Sequence, residues 1–532
     1  VTLRRIIILI ALLCCAVPPA LAQETTITGY LDDAVTSKSY PITLAESDVV
    51  LITAEKTDGD LDTVLSLFNP DGVLVAANDD RNAENYNSAL IYTTRTAGEY
   101  TIEVSRYEHG WSSGSFEMRI TIGGNEIFAE YAELTRIELS GETRTFDTEN
   151  FRIHYTLEGE DAVTTDYLKA VAAAFEEMLR IQVEELGWPP PPPDGGLGGD
   201  DRYDVYLIDL IGSGQEALGY TSPQMIIGDN PHTDVVETHA ATSQIAIDND
   251  FEDADSDNPL GLMRATVAHE LHHAIQFGYD SADAHNWIYE ATASWIETVA
   301  AGEDQDATGY VEYAFNYPEL CFGTTSDPGR GDLQYGEWTF IQALTDDYGS
   351  TAIQELWRNL GNYDGFEALT RTLEAFDTTI PQALAAYRIR NLARDYELAP
   401  LFNATVWLEE TIDEPGRWTY RGEGIQELGA NYFDVRLPDG LYYAGLMNDK
   451  GALELWAIGI AGEQVDAIPL GRGGMFDNTS YDNVYLMVFN PNYDEDVDDC
   501  TYYDYEIDVR AGKGEAAKPE RGWNGRNFAP LR

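Results

Sequence analysis

Between residues 25 and 122, short apolar or alternating runs recur at 49–52, 63–68, 100–104 and 116–120. Turn residues separate them, most clearly Asn69-Pro70-Asp71-Gly72 and Ala97-Gly98. Short strands at this spacing predict a small β-sandwich. Further on the period changes. Residues 151–155 read as a strand, and 162–186 carry apolar side chains at helical spacing. Five prolines at 189–193 and the Gly-rich stretch 194–199 make a surface loop, stiff and then flexible. Strands are expected at 203–210 and 242–247. Helices follow at 265–279, 286–300 and 335–344. Strands first and helices afterwards suggest an α+β domain. From 401 to 509 the chain is β-rich again, with strands at 432–437, 452–457 and 484–489. The expected fold is therefore multidomain, with an α+β core flanked by two all-β sandwiches.

Composition sharpens this division. A chain of 532 residues exceeds what one hydrophobic core holds. Its first stretch has the form of a secretory signal: Arg4 and Arg5, an apolar run at 6–16, then Ala20-Leu21-Ala22. The expected boundaries are a signal peptide at 1–22, a sandwich at 23–124, the α+β domain at 145–398, a second sandwich at 401–511 and a flexible basic tail at 512–532. No stretch is long and apolar enough for a membrane helix, so a secreted, extracellular protein is expected. Cys321 and Cys500 remain after cleavage, either paired or as two buried thiols. Asp and Glu number 93 against 32 Lys and Arg, a formal charge of −61. Such a surface repels nucleic acid and anionic lipid, and it offers carboxylates to calcium.

The candidate chemistry lies in the helix expected at 265–279. His269-Glu270-Leu271-His272-His273 has the form H-E-x-x-H. Residues four apart share a helix face, so His269 and His273 can direct two imidazoles at one metal ion. Glu270 stands one residue round, placed to act as base on a water activated by zinc. Six of the eight histidines fall between 232 and 285. A third ligand is needed. The metzincin pattern fails, because Tyr279 replaces its His and Gln276 its Gly. Glu290 fits best, on a helix that Asn286 is placed to cap and that small residues Ala291, Ala293 and Ser294 let approach closely. Glu297 lies about 10 Å further along the same helix, suited to support rather than ligation. His285 and Asp280 are weaker alternatives. Tyr335, opening a helix after a Gly-rich loop, is the candidate oxyanion donor, with Tyr310, Tyr313 and Tyr317 as competitors. The strand at 242–247 is either an edge that pairs with an extended peptide or a central strand.

Two resemblances follow from these residues. The run from Asp60 to Phe68, then Asn69-Pro70-Asp71-Gly72, Asn78-Asp79-Asp80 and the segment 98–104 resemble the bacterial pre-peptidase C-terminal domain. That resemblance implies a secreted peptidase as companion, and it implies Asp60, Asp62, Asp79 and Asp80 as candidate calcium ligands. Acidic turns facing water are the alternative. The stretch 269–279 followed by 287–297 resembles gluzincin metallopeptidases, secreted bacterial enzymes distantly similar to hyicolysin and thermolysin. The resemblance spans 145–398 and implies a zincin-like core, zinc on His269, His273 and Glu290, and Glu270 as catalytic base. The chain departs from thermolysin in the shorter interval before the third ligand. It also has no histidine after His285 to serve the oxyanion. The loop 253–258 begins like a calcium loop but lacks the EF-hand Gly and carries Arg264 in place of the bidentate Glu. The acidic run 494–499 is likewise either a looser calcium site or a solvated loop.

Two functions are compatible with these features. One is a secreted zinc endopeptidase acting on proteins or peptides. The other is a non-catalytic, calcium-stabilised surface or matrix protein with a degenerate peptidase core.

Overall fold

The computed structural model describes residues 23–524 except 71, 73, 79–80, 82–84, 95, 108–111, 124–125, 194–195, 215–216, 253, 255, 284, 325–332, 448–452, 494–499 and 520–522. The signal segment 1–22, Asp79, Asp80, Asp253, Asp255, the acidic run 494–499 and the end of the tail lie outside the described residues. Two compact units result, one up to Ile137 and one from Glu138 onward.

The first unit is a β-sandwich. One sheet orders its strands as Gln23–Leu31, Gly114–Gly123, Val49–Gly59 and Ser88–Thr93. The other orders Ser37–Leu44, Gly98–Arg106, Thr63–Phe68 and Leu74–Asn78, and every pairing is antiparallel. Alternation explains the packing. Leu65, Leu67, Ile102 and Val104 of one sheet meet Val50, Ile52, Phe116 and Met118 of the other in a single core.

The second unit begins with a five-stranded sheet. Its order is Gly219–Gly228, Ala240–Asp248, Tyr203–Ile208, Phe151–Tyr155 and Arg144–Asp147. The middle three are parallel, and the two outer strands are antiparallel to their neighbours. The strand expected at 242–247 is thus central. One edge is Gly219–Gly228, which no run in the sequence announces. Pro223 interrupts it and two register shifts follow, both tolerable at an edge. Thr165–Leu179 is the predicted helix, with Thr164 as its cap. The expected helix ran on to 186, but Arg180–Glu185 is wound as a π-helix.

Helices fill the rest of the core, including Pro259–Phe277, Asn286–Ala300, Trp338–Tyr348 and Ile380–Ala393. Beyond them lie a six-stranded and a four-stranded sheet. Strands Glu454–Ala461 and Asn483–Phe489 are apolar on both faces. Leu455, Ala457, Leu486 and Val488 pack between the two sheets. Trp456, Ile458, Met487 and Phe489 face the other way and join the core of the helices. Arg388, buried on Ile380–Ala393, donates from Nε and Nη2 to the Leu428 carbonyl at 3.2 Å. Cys321 and Cys500 form a disulfide across the same region. No described helix is long and apolar enough to cross a membrane.

Candidate metal centre

Helix Pro259–Phe277 starts where Asn258 accepts a hydrogen bond from Gly261 N and Pro259 takes the first turn. It is buried on nearly every side, so its polar residues must be satisfied by protein groups. His272 shows how. Its Nδ1 donates to Gln182 Oε1 at 3.0 Å, and Gln182 Nε2 donates to the Ala268 carbonyl at 2.8 Å. The Trp188 ring meets it edge-on. Burial holds the His272 imidazole well below its usual range, so it stays neutral. Gln182 belongs to the π-helical turn, which braces the histidine helix just before His269.

Helix Asn286–Ala300 packs across it. Asn286 is the first helical residue and not the expected cap; His285 occupies that position and makes no side-chain cap bond. The crossing brings Glu290 Oε2 to 3.1 Å from His269 Nε2 and 3.4 Å from His273 Nε2. The other nitrogen of each ring is committed. His269 Nδ1 lies 2.8 Å from Glu297 Oε1, and His273 Nδ1 lies 2.6 Å from Gln276 Oε1. Gln276 Nε2 donates to the Tyr289 carbonyl at 3.0 Å, which fixes its oxygen as the acceptor for His273. His273 therefore carries its proton on Nδ1 and turns its Nε2 lone pair towards Glu290, while the His269 ring sits between two carboxylates, Glu297 on Nδ1 and Glu290 on Nε2. The two Nε2 atoms and a carboxylate oxygen converge, an arrangement that could hold a cation. Ligands about 2.1 Å from a tetrahedral ion stand about 3.4 Å apart, close to the spacings of Glu290 Oε2 from the rings. The donor set, two imidazoles and one carboxylate, suits zinc.

Without a cation, Glu290 and Glu297 favour a second proton on His269, which a cation at Nε2 would displace. Burial works against a charged His269, but the bonds and charges of Glu290 and Glu297 outweigh it and raise the imidazole well above its usual range. Burial likewise opposes an ionised Glu290, yet His273 and His269 hold it below the usual carboxylate range. Glu297 is raised by burial despite its bond to His269.

Glu270 lies beside the group. Burial raises it above an ordinary carboxylate, against the pull of His273, His269 and Thr221. Thr221, on the edge strand, places its hydroxyl 2.8 Å from Glu270 Oε2 and 2.9 Å from the Glu270 carbonyl. Gly219 permits this close approach, since a Cβ there would sit 3.0 Å from Thr266 Cγ2. A cleft of about 350 Å³ opens over His269, His273, Glu270 and Glu290, bounded by Tyr220 and Tyr335. The ring centroids of Tyr335 and His269 are 6.0 Å apart.

The other candidates lie elsewhere. His285 Nδ1 is 2.8 Å from Asp283 Oδ1, and Asp280 accepts from Ala282 and Asp283 N–H, so neither joins the cation group. Tyr310 donates to Asp306 Oδ2 at 3.0 Å. In the first unit, Asp60 Oδ1 accepts from Ser113 N at 2.9 Å, and Asp62 N donates to Ser112 Oγ at 3.2 Å. Neither aspartate belongs to a metal-holding group among the described residues. Thr221, Gln276 and Gln182 were not singled out from sequence. Gln276 carried the one usable signal, three residues after His273 and so on the same helix side.

Residues 36–106 match the family described as the bacterial pre-peptidase C-terminal domain, and residues 260–436 match a family of unknown function, DUF6055. No curated protein matches the chain. Among solved structures, the pre-peptidase C-terminal domain of a collagenase from Bacillus anthracis is 19% identical, covering 18% of this chain and 88% of its own at a TM-score of 0.16. A functionally unknown conserved protein from Bacillus anthracis is 10% identical over 89% of this chain and 100% of its own, with a TM-score of 0.26. The ZmpB metallopeptidase from Clostridium perfringens is 11% identical over 87% and 94%, with a TM-score of 0.24. At such scores these likenesses fix neither fold nor function. The family match does place a pre-peptidase C-terminal domain within the first unit.

Proposed function

We propose that the second unit is a zinc-dependent endopeptidase of gluzincin type, with a zincin-like core, acting outside the cytoplasm. One observation carries this reading: the Nε2 atoms of His269 and His273 converge on Glu290 Oε2, with the Glu270 carboxylate beside them. His269, His273 and Glu290 would hold the ion, and Glu297 and Gln276 would fix the two rings. When bound, zinc supplies Lewis acidity that polarises the scissile carbonyl and makes water nucleophilic near neutral pH.

The chain's own residues do the rest. Glu270, made more basic by burial, takes the proton of the attacking water and delivers it to the leaving amine. The Thr221 hydroxyl keeps the Glu270 carboxylate turned into the cleft. Tyr335 donates its hydroxyl to the carbonyl oxygen as negative charge develops there. The free side of strand Gly219–Gly228 pairs with an extended substrate backbone, as exposed sheet edges do. The Cys321–Cys500 disulfide supports an oxidising location, in line with the signal-like first residues.

A casein hydrolysis assay on wild type and Glu270→Gln tests this reading. Wild type should cleave casein, and the variant should fall about 10²–10⁴-fold while keeping its metal. Equal activity in the two would remove the mechanism.

A further inference from the structure

A second cavity, of about 260 Å³, lies beside the main cleft and shares Gly219, His269, Glu270 and Tyr335 with it. A side chain next to the scissile bond can therefore enter it. One wall is aliphatic, formed by Leu218, Leu262 and Ala265. The lining is also aromatic, with Tyr310, Tyr313 and Tyr335. Tyr310 and Tyr313 are nearly parallel, at 10° and 6.3 Å between centroids, and Tyr335 lies 5.3 Å from Tyr310. Two carboxylates reach the cavity besides Glu270. Glu297 is already used, since Oε1 takes His269 Nδ1 and Oε2 accepts from Asp306 N at 3.1 Å. Asp306 is only half used. Its Oδ2 accepts from Tyr310, while Oδ1 takes no hydrogen bond from the described residues. No Lys or Arg stands among the described lining residues.

We propose that this cavity is a specificity pocket for a lysine or arginine of the substrate, selected by Asp306. The inference rests on the peptidase reading and deepens it. The methylene stem of a basic side chain lies along Leu262 and Ala265. Its cationic head passes the faces of Tyr313 and Tyr335, where the ring quadrupoles attract it. It ends on the free oxygen of Asp306. A leucine in the same place would bury that oxygen without a partner, and a glutamate would meet like charge. The formal charge of −61 on the whole chain favours basic peptides at encounter as well.

The test is digestion of a mixed peptide library by the full chain, with cleavage sites read by mass spectrometry. Lys and Arg should be enriched at one fixed position beside the scissile bond. In a matched pair of peptides carrying Lys or Leu there, Asp306→Asn should lower the Lys-to-Leu ratio of kcat/KM about tenfold or more. Asp306→Lys should move the preference to Glu at the same position. Each ratio is taken within one variant, so a reduced yield of folded protein cancels. Cleavage without basic enrichment, or a ratio unchanged in Asp306→Asn, overturns the pocket and leaves the peptidase reading standing. A wild-type chain that cleaves no peptide overturns both.

Discussion

Glu290 and Glu337 are two carboxylates of the second unit, both at helices and both pressed by burial towards the neutral form, yet they end in opposite states. Glu290 faces two imidazoles and is held below the usual carboxylate range despite its burial. Glu337 precedes helix Trp338–Tyr348 and is 6% exposed. Its Oε1 accepts from Gly323 N at 2.9 Å, while its Oε2 takes no hydrogen bond from the described residues. Burial pushes Glu337 up to about 8, and the Gly323 N–H and the Arg388 charge oppose this too weakly. At neutral pH Glu337 is mostly protonated, and Glu290 is ionised. Burial alone makes a weak acid. Burial where two imidazole nitrogens converge on a carboxylate makes a group that could hold a cation.

The strongest way to break the contrast is to remove the ligand. Glu290→Ala should abolish metal binding and hydrolysis together, read by metal content and a peptide assay, whereas Glu337→Gln should keep the metal. A smaller effect is expected one bond further out. Glu297→Gln should weaken zinc affinity about 10–100-fold in a chelator competition, because the His269 ring loses its anionic partner. Thr221→Val should lower kcat about tenfold at constant zinc content, since it removes only the hydroxyl that orients Glu270.

The mildest test concerns pH. Burial raises Glu337 in the folded chain from the ordinary 4.5 to about 8, so the folded chain keeps a proton that the unfolded chain releases. This contribution to stability is complete below pH 4.5 and is lost as pH rises to about 8. The slope is at most about 1.4 kcal/mol per pH unit. Melting curves between pH 5 and 8 should show this decline in wild type, and Glu337→Gln should flatten it. Equal slopes in both proteins would remove the assignment.

Much of the centre is legible in the sequence because a helix makes it local. The spacing of His269, Glu270 and His273 translates into geometry through 3.6 residues per turn. Glu290 is legible through the small residues that follow it. The edge strand is not, because Gly219, Pro223 and Gly228 break its alternation, and so Thr221 was missed. Asp306 lies just before the short 3-10 turn Ala307–Gly309, where no periodicity points to a cavity. The strand 484–489 was readable from its apolar run. That Leu486 and Met487 feed two different cores was not, since a strand buried on both faces carries no polar side to orient it. Similarly, nothing in residues 162–186 announces the change to π-helix that sets Gln182 against the histidine helix.

Metal analysis of the purified full chain tests the central claim most directly. Wild type should carry about one zinc per chain, held through dialysis, and His269→Ala should carry none. A wild-type chain without zinc after exposure to it, or a His269→Ala chain that keeps it, would contradict the account.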